Sequence, residues 1–271
     1  MPPLELLYQD DHLVVINKPS GLLVHRSPID RHETQFALQI IRDQLGKYVY
    51  PVHRLDKPTS GALIFALSRD IAKSLSDSFA QRDINKTYIA IVRGYAPEQA
   101  TIDHALTEKF DKMSAKKPSK EKSPQEAVTH VRRLATIELP YCVDRYPHSR
   151  YSLVTAQPVT GRKHQIRRHL KHIGHPIIGD AKHGKGIHNR FFQNQYNCNR
   201  LLLACTELEF EHPLAGTRDN KGELYQRKLS IQAALDESFT NIIKQFGWQH
   251  AVNNALKPNS SDSVTPLLSK L

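Results

Sequence analysis

His53-Arg54-Leu55-Asp56-Lys57-Pro58-Thr59-Ser60-Gly61 leads without a break into Ala62-Leu63-Ile64-Phe65-Ala66-Leu67. The second half is a continuous apolar run of strand length, which reads as a strand buried on both faces. The first half is a polar loop rich in Pro, Ser and Gly. It presents one carboxylate, Asp56, between two cations, Arg54 and Lys57. Neighbouring positive charge favours the ionised carboxylate, which suits a nucleophile or a base. Taken alone, the bland alternative is the better reading: a loop Asp closing an Asx-type turn with Thr59 or Ser60.

Working outward from that strand, residues 4–8 and 13–17 are short β-rich runs on either side of Asp10-Asp11, which reads as a hairpin. Residues 34–45 carry Phe36, Ile40 and Ile41 at roughly helical spacing. Residues 70–82 place Ile71, Leu75 and Phe79 on one stripe of an amphipathic helix. Residues 87–92 read as another strand. Strands, a helix, further strands and a late helix predict an α+β fold, built on a mixed, mostly antiparallel sheet with flanking helices and loops. Residues 1–248 are expected to form one domain. The Lys-rich stretch 109–122 reads as an exposed basic insertion, residues 184–200 as a second loop, and residues 249–271 as a disordered tail.

Composition narrows the partner. Of 271 residues, 38 are Lys or Arg against 27 Asp or Glu, giving a formal net charge of +11. That excess points to a polyanion. There is no apolar run long enough to cross a bilayer, no basic helix of the kind that lies on lipid, and no signal-peptide pattern at the start. Three Cys without a C-x-x-C pair argue against a disulfide framework or structural zinc and for a reducing cytoplasm. Neither G-x-G-x-x-G nor a Walker A pattern is present, so the sequence gives no support for a nucleotide cofactor.

Three further stretches carry chemistry. Gly161-Arg162-Lys163-His164-Gln165-Ile166-Arg167-Arg168-His169-Leu170-Lys171-His172 holds five Lys or Arg, three His and no acid. Ile166, Leu170 and Ile173 anchor one helical face; the cations on the others need anions, from nucleic acid or from a buried carboxylate. His164, His169, His172 and His175 have spacing a metal can share, but no acid stands among them and the surrounding cations repel a divalent ion, so no metal site is expected. Tyr88, in Lys86-Thr87-Tyr88-Ile89-Ala90, can stack on a base, although a strand Tyr is more often packing.

Taken together and in order, these pieces resemble the RluA-type pseudouridine synthases. Their H-R-L-D-x-x-T-S-G element is intact at residues 53–61. N-K-P-x-G appears at 17–21, K-x-Y-x-A at 86–90, G-R-x-H-Q-I-R at 161–167 and H-P-I-x-G-D at 175–180. The resemblance spans about residues 4–248 and lacks an S4-type RNA-binding module. Finer features, among them His25-Arg26-Ser27, Arg145-Tyr146-Pro147 and Gln245-Phe246-Gly247-Trp248, resemble the member that isomerises one uridine of tRNA, at position 65. One departure stands in residues 200–205, where Ala204 occupies the place of the family's usual His.

The resemblance implies the pseudouridine synthase catalytic fold and a reaction that needs neither cofactor nor metal. It implies Asp56 as the essential carboxylate, Arg167 as the cation that pairs with it through a bidentate fork, and Tyr88 stacked on the target ring. Arg54 would prop the stack the uridine vacates, Leu203 would floor the base, and Lys18, Arg162 and His164 would bind substrate. The expected form is a monomer in the cytoplasm acting on tRNA. The alternatives are a ribosomal RNA pseudouridine synthase, a non-catalytic RNA-binding protein that would not need Asp56, and a metal-dependent nuclease, which would need clustered carboxylates.

Overall fold

The computed structural model describes residues 2–26, 32–107, 123–219, 221–225 and 228–257. In chain order the elements are β1 (Glu5–Gln9), β2 (Leu13–Lys18), α1 (Ala37–Leu45), β3 (Tyr50–Pro51), β4 (Ser60–Ala66), α2 (Arg69–Gln81), β5 (Asn85–Arg93), β6 (Gln99–Asp103), β7 (Val128–Leu139), β8 (Ser149–Pro158), α3 (Gln165–His172), α4 (Gly186–Tyr196), β9 (Leu203–Glu211), β10 (Lys228–Gln232), α5 (Glu237–Gln245) and α6 (Gln249–Ala255). The strands form one sheet in the order β1-β2-β4-β9-β5-β8-β7-β6, with β3 beside β4 and β10 beside β9. The β4–β9 pair is parallel, and the other named strand pairs are antiparallel. This is the mixed, mostly antiparallel α+β sheet the sequence predicts.

β4 is buried along its whole length, as its unbroken apolar run requires. β5 alternates: Tyr88, Ala90 and Val92 join one core, with Ile41 of α1, Leu75 of α2 and Leu170 of α3. Ile89 and Ile91 join the other, with Phe192 of α4, Phe239 of α5 and Val252 of α6. The sheet therefore separates two helical layers. α2 begins where Ser68 Oγ accepts from the Ile71 N–H, with Asp70 in its first turn. α1 ends on Gly46 in the left-handed region.

The parallel contact is close. A Cβ on Gly61, whose φ is +111°, would fall 2.0 Å from the Cys205 carbonyl oxygen. Only glycine fits there, and the contact fixes the end of the residue 53–61 loop against β9.

Two expectations are corrected. Residues 184–200 are not simply a loop, because α4 occupies Gly186–Tyr196. His188, Phe192 and Tyr196 recur every fourth residue; Phe192 and Tyr196 pack into an aromatic cluster with Phe246 and His188 meets Tyr151, a stripe that the intervening Asn and Gln conceal. The folded part also does not stop at residue 248. α6 follows it and buries Val252, four residues after the buried Trp248. The basic stretch 109–122 and residues 258–271 lie outside the described residues.

Candidate active site

The loop before β4 is held in place piece by piece. His53 Nε2 accepts the Ile64 N–H at 3.0 Å, and its ring stacks on Phe79 of α2 at 4.6 Å between centroids. Burial pushes this imidazole down to about 3, so it accepts as a neutral ring. Downstream, the residue 17–21 element clamps the loop. The Gly21 N–H donates to the Lys57 carbonyl at 2.9 Å, and Ser20 Oγ donates to the Pro58 carbonyl at 2.8 Å. The Asx-type turn is not what forms: the Thr59 N–H donates to the Asp56 main-chain carbonyl at 2.9 Å. The Asp56 carboxylate reaches across to Arg167 instead.

Arg167 lies at the start of α3, 5% exposed. Its Nη1 donates to Asp56 Oδ2 at 2.9 Å. Its bidentate fork goes elsewhere: Nε and Nη2 donate to the two oxygens of Asp180 at 2.7 and 2.8 Å. The expected fork on Asp56 is thus corrected: Asp180 takes the Nε–Nη2 edge of the guanidinium, and Asp56 meets Nη1 alone. Asp180 also accepts the N–H groups of Lys182 and His183, each at 2.9 Å. Burial pushes the Asp180 carboxyl up, but Arg167 and these N–H groups outweigh it and hold it below its ordinary value. Burial likewise disfavours charge on Arg167, and the two carboxylates overcome this and raise it. The anions demanded by an acid-free cationic helix are therefore protein carboxylates at this position.

His164 precedes α3 with φ 55°, a left-handed conformation uncommon outside glycine. Its Nδ1 is bonded to His183 Nε2 at 2.9 Å, and its Nε2 lies 3.8 Å from Asp56 Oδ1. Burial, against the pull of Asp56, brings the ring down to about 4, so it faces Asp56 neutral. Gln165 builds the turn: its carboxamide accepts from Thr160 Oγ1 and donates to Val128 O and Thr129 Oγ1.

A cleft of about 590 Å³ gathers Asp56, Arg167, Tyr88, Leu203, Arg162 and His164, with Arg54 exposed in its lining. Tyr88 is buried, and its phenol is raised well above its ordinary value by burial first, then by Cys205 and the Asp56 charge. Leu203 is buried in the cleft's apolar lining. Arg162 is pinned at the edge by a bond from Nε to the Glu126 carbonyl at 3.1 Å. Lys18 departs from expectation. Its ammonium is enclosed and donates to the carbonyls of Pro19, Leu22 and Lys57 at 2.9, 2.8 and 3.2 Å, so it braces the loop rather than meeting substrate. Ala204 belongs to the opposite core from Leu203, so the missing His does not open a gap in this cleft.

The four His of the 164–175 series diverge. His164 meets His183, His169 meets Thr129 and the His104 carbonyl, His172 stacks on His104, and His175 meets the Arg93 carbonyl. Among the described residues, no group of three or more His, Cys, Asp and Glu is placed to hold a metal ion. Asp180, His53, Gln165 and His183 were assigned no role from sequence. Asp180 had a signal, as the last residue of the 175–180 element.

The family model described as RNA pseudouridylate synthase matches residues 12–172, which include Asp56, Tyr88 and Arg167. The chain belongs to this family. A protein of Pectobacterium carotovorum subsp. carotovorum called tRNA pseudouridine synthase C is 49% identical over 246 residues, which are 91% of this chain and 63% of that longer protein. The Vibrio cholerae protein of the same name is 47% identical over 249 residues, 92% of this chain and 98% of its own. Among solved structures, human RNA pseudouridylate synthase domain containing 4 superposes with a TM-score of 0.64 at 26% identity, covering 90% of this chain and 93% of its own. Human RNA pseudouridylate synthase domain containing 1 shares the fold, with a TM-score of 0.59 at 21% identity and coverage of 90% and 94%.

Proposed function

We propose that this pseudouridine synthase isomerises a uridine of tRNA, at position 65, to pseudouridine, with Asp56 as the essential carboxylate. The observation that carries the reading is Asp56 held by a buried Arg167–Asp180 pair in a cleft that also contains Tyr88 and Leu203. The tRNA substrate is the one named for the bacterial relatives, and the net charge of +11 suits it. On this reading the protein acts as a monomer in the cytoplasm.

The target nucleotide must leave its stack to enter the cleft, at a cost of about a few kcal/mol. Arg54, exposed in the cleft lining, would fill the vacated space. The N1–C1′ bond then breaks, the uracil turns, and a C5–C1′ bond forms; C5 loses a proton and N1 gains one. Asp56, as the anion, adds to C1′ or takes the 2′ proton in a glycal route. Arg167 aims it through a charge-assisted bond. Tyr88 supplies a stacking face, and its buried phenol keeps its proton until a stronger acceptor is near.

Tritium release from tRNA carrying [5-³H]uridine tests this, with EDTA present and Asp56→Asn alongside. Release by the wild type alone is expected. Release by Asp56→Asn would remove Asp56 from its role. Release from ribosomal RNA but not tRNA would move the substrate, and release from neither would leave an RNA-binding protein.

A further inference from the structure

β5 carries Tyr88 in the cleft and ends five residues later at Arg93, roughly 17 Å along an extended strand. A second pocket, of about 500 Å³, opens there. Its lining includes Arg93, Tyr95, Asp144, Tyr146, Arg150 and His188. One of its groups is unsatisfied. His188 is 3% exposed; its Nδ1 is bonded to the Tyr151 hydroxyl at 2.8 Å, while Nε2, on the other side of the ring, has no hydrogen-bond partner among the described residues. Burial, then Arg93 and Lys185, bring this ring down to about 4, so Nε2 is a neutral hydrogen-bonding atom rather than a cation. A buried polar atom left alone is rare, and a ligand is one way to satisfy it.

The rim has the chemistry of a single-strand nucleic-acid platform. Tyr95 and Tyr146 are 43% and 54% exposed. Each carries a guanidinium over its ring, Arg150 at 5.1 Å and Arg145 at 5.0 Å. Aromatic faces interleaved with cations bind bases and backbone together. Gly94 and Gly174 contribute no side chains to the lining. α3, which carries Arg167 in the cleft in its first turn, leads toward Gly174 and carries the half-buried Arg168 and the exposed Lys171 on the way. The polar groove between β6, β7 and β9 has no such character, since among the described residues no Tyr, Phe or Trp lines it.

We infer that this pocket takes a second, unstacked nucleotide of the RNA, its base against Tyr95 and Tyr146 with an edge on His188 Nε2 and Asp144, and its phosphates on Arg93 and Arg150. The inference rests on the proposed RNA substrate and adds a subsite to it. One RNA then spans the end of the sheet, with the reacting uridine at one end of β5 and an anchoring nucleotide at the other.

The test uses the full chain and an unmodified tRNA transcript. Ultraviolet crosslinking with peptide mapping on the wild type is combined with affinity and kcat/KM for the Tyr95→Ala/Tyr146→Ala double variant. Tyr48→Ala, an exposed tyrosine outside both pockets, is the control. Crosslinks at Tyr95 or Tyr146 are expected, with a fall of about tenfold or more in affinity and a matching fall in kcat/KM for the double variant only. Crosslinks confined to the cleft, with the double variant binding as tightly as the wild type, would overturn the second subsite while wild-type tritium release left the enzyme reading standing. A wild type that neither binds tRNA nor releases tritium would overturn both.

Discussion

The loop that carries Asp56 is gripped from two sides, and each side buries a cation in a different way. On the α3 side, Arg167 faces two carboxylates, Asp180 and Asp56, and its charge is reinforced. On the residue 17–21 side, Lys18 faces three main-chain carbonyls, and burial, with Arg200 adding to it, brings its ammonium down to about 7. Burial penalises both. Only the first is hydrogen-bonded to carboxylates that repay the penalty, and its guanidinium does not deprotonate. The contrast separates two tasks. The wall that must fix a reactive carboxylate in place uses a permanent charge in a fixed fork. The wall that only shapes the loop tolerates a group that sheds its proton.

Breaking the α3 wall has the larger effect. Asp180→Ala leaves Arg167 buried with only Asp56, and is expected to cost about 3–5 kcal/mol of stability, read by denaturant unfolding. Its kcat is expected to fall by about a hundredfold, because Asp56 loses a fixed partner. Near-normal turnover in a folded Asp180→Ala protein would mean that Arg167 needs no fork to aim Asp56. Arg167→Lys is the milder break. An ammonium cannot span both Asp180 oxygens and Asp56 with the same geometry, so kcat should drop with a loss of stability of about 2 kcal/mol. Wild-type rates in this variant would reduce Arg167 to a point charge.

The Lys18 wall is probed by pH. Lys18 titrates near 7 in the folded protein and near 10.5 when free, so between these values the unfolded chain holds a proton that the native state has released. Its contribution to stability therefore rises with pH across that window, at no more than about 1.4 kcal/mol per pH unit. Lys18→Met should remove that slope, and an identical pH dependence in variant and wild type would place the ammonium in solvent. The smallest expected effect is a null one at the site itself. His164 is already neutral above pH 5, so kcat between pH 5.5 and 7.5 should show no limb that His164→Gln abolishes.

Much of the fold was legible because its strongest signals are local. The hairpin at β1–β2, the buried β4, the α2 stripe and β5 each lie within a few residues of where apolar period places them. The misread segments fail for a physical reason. α4 buries only His188 and Phe192, and α6 only Val252, each among Asn, Gln and His, and it is packing onto a preformed core, not intrinsic pattern, that makes them helices. At the site, Asp56, Tyr88 and Arg167 were legible as members of motifs that occur in order, and Leu203 only through the family resemblance. Lys18 was legible as a conspicuous cation in a motif and misread as a substrate contact, because a sequence does not say which cations are enclosed.

The sequence by itself determined which groups this protein has available: a carboxylate between cations, an acid-free helix, a strand tyrosine and a net positive charge. Those follow from residue type and spacing. Only the tertiary structure decided how they pair. Residues 56, 167 and 180 come from three separate segments, and the direction of a guanidinium fork is set by which carboxylate meets it edge-on. Hydrogen bonding is short-ranged and directional, so partners that are remote in sequence acquire their roles only once the chain has brought them within reach.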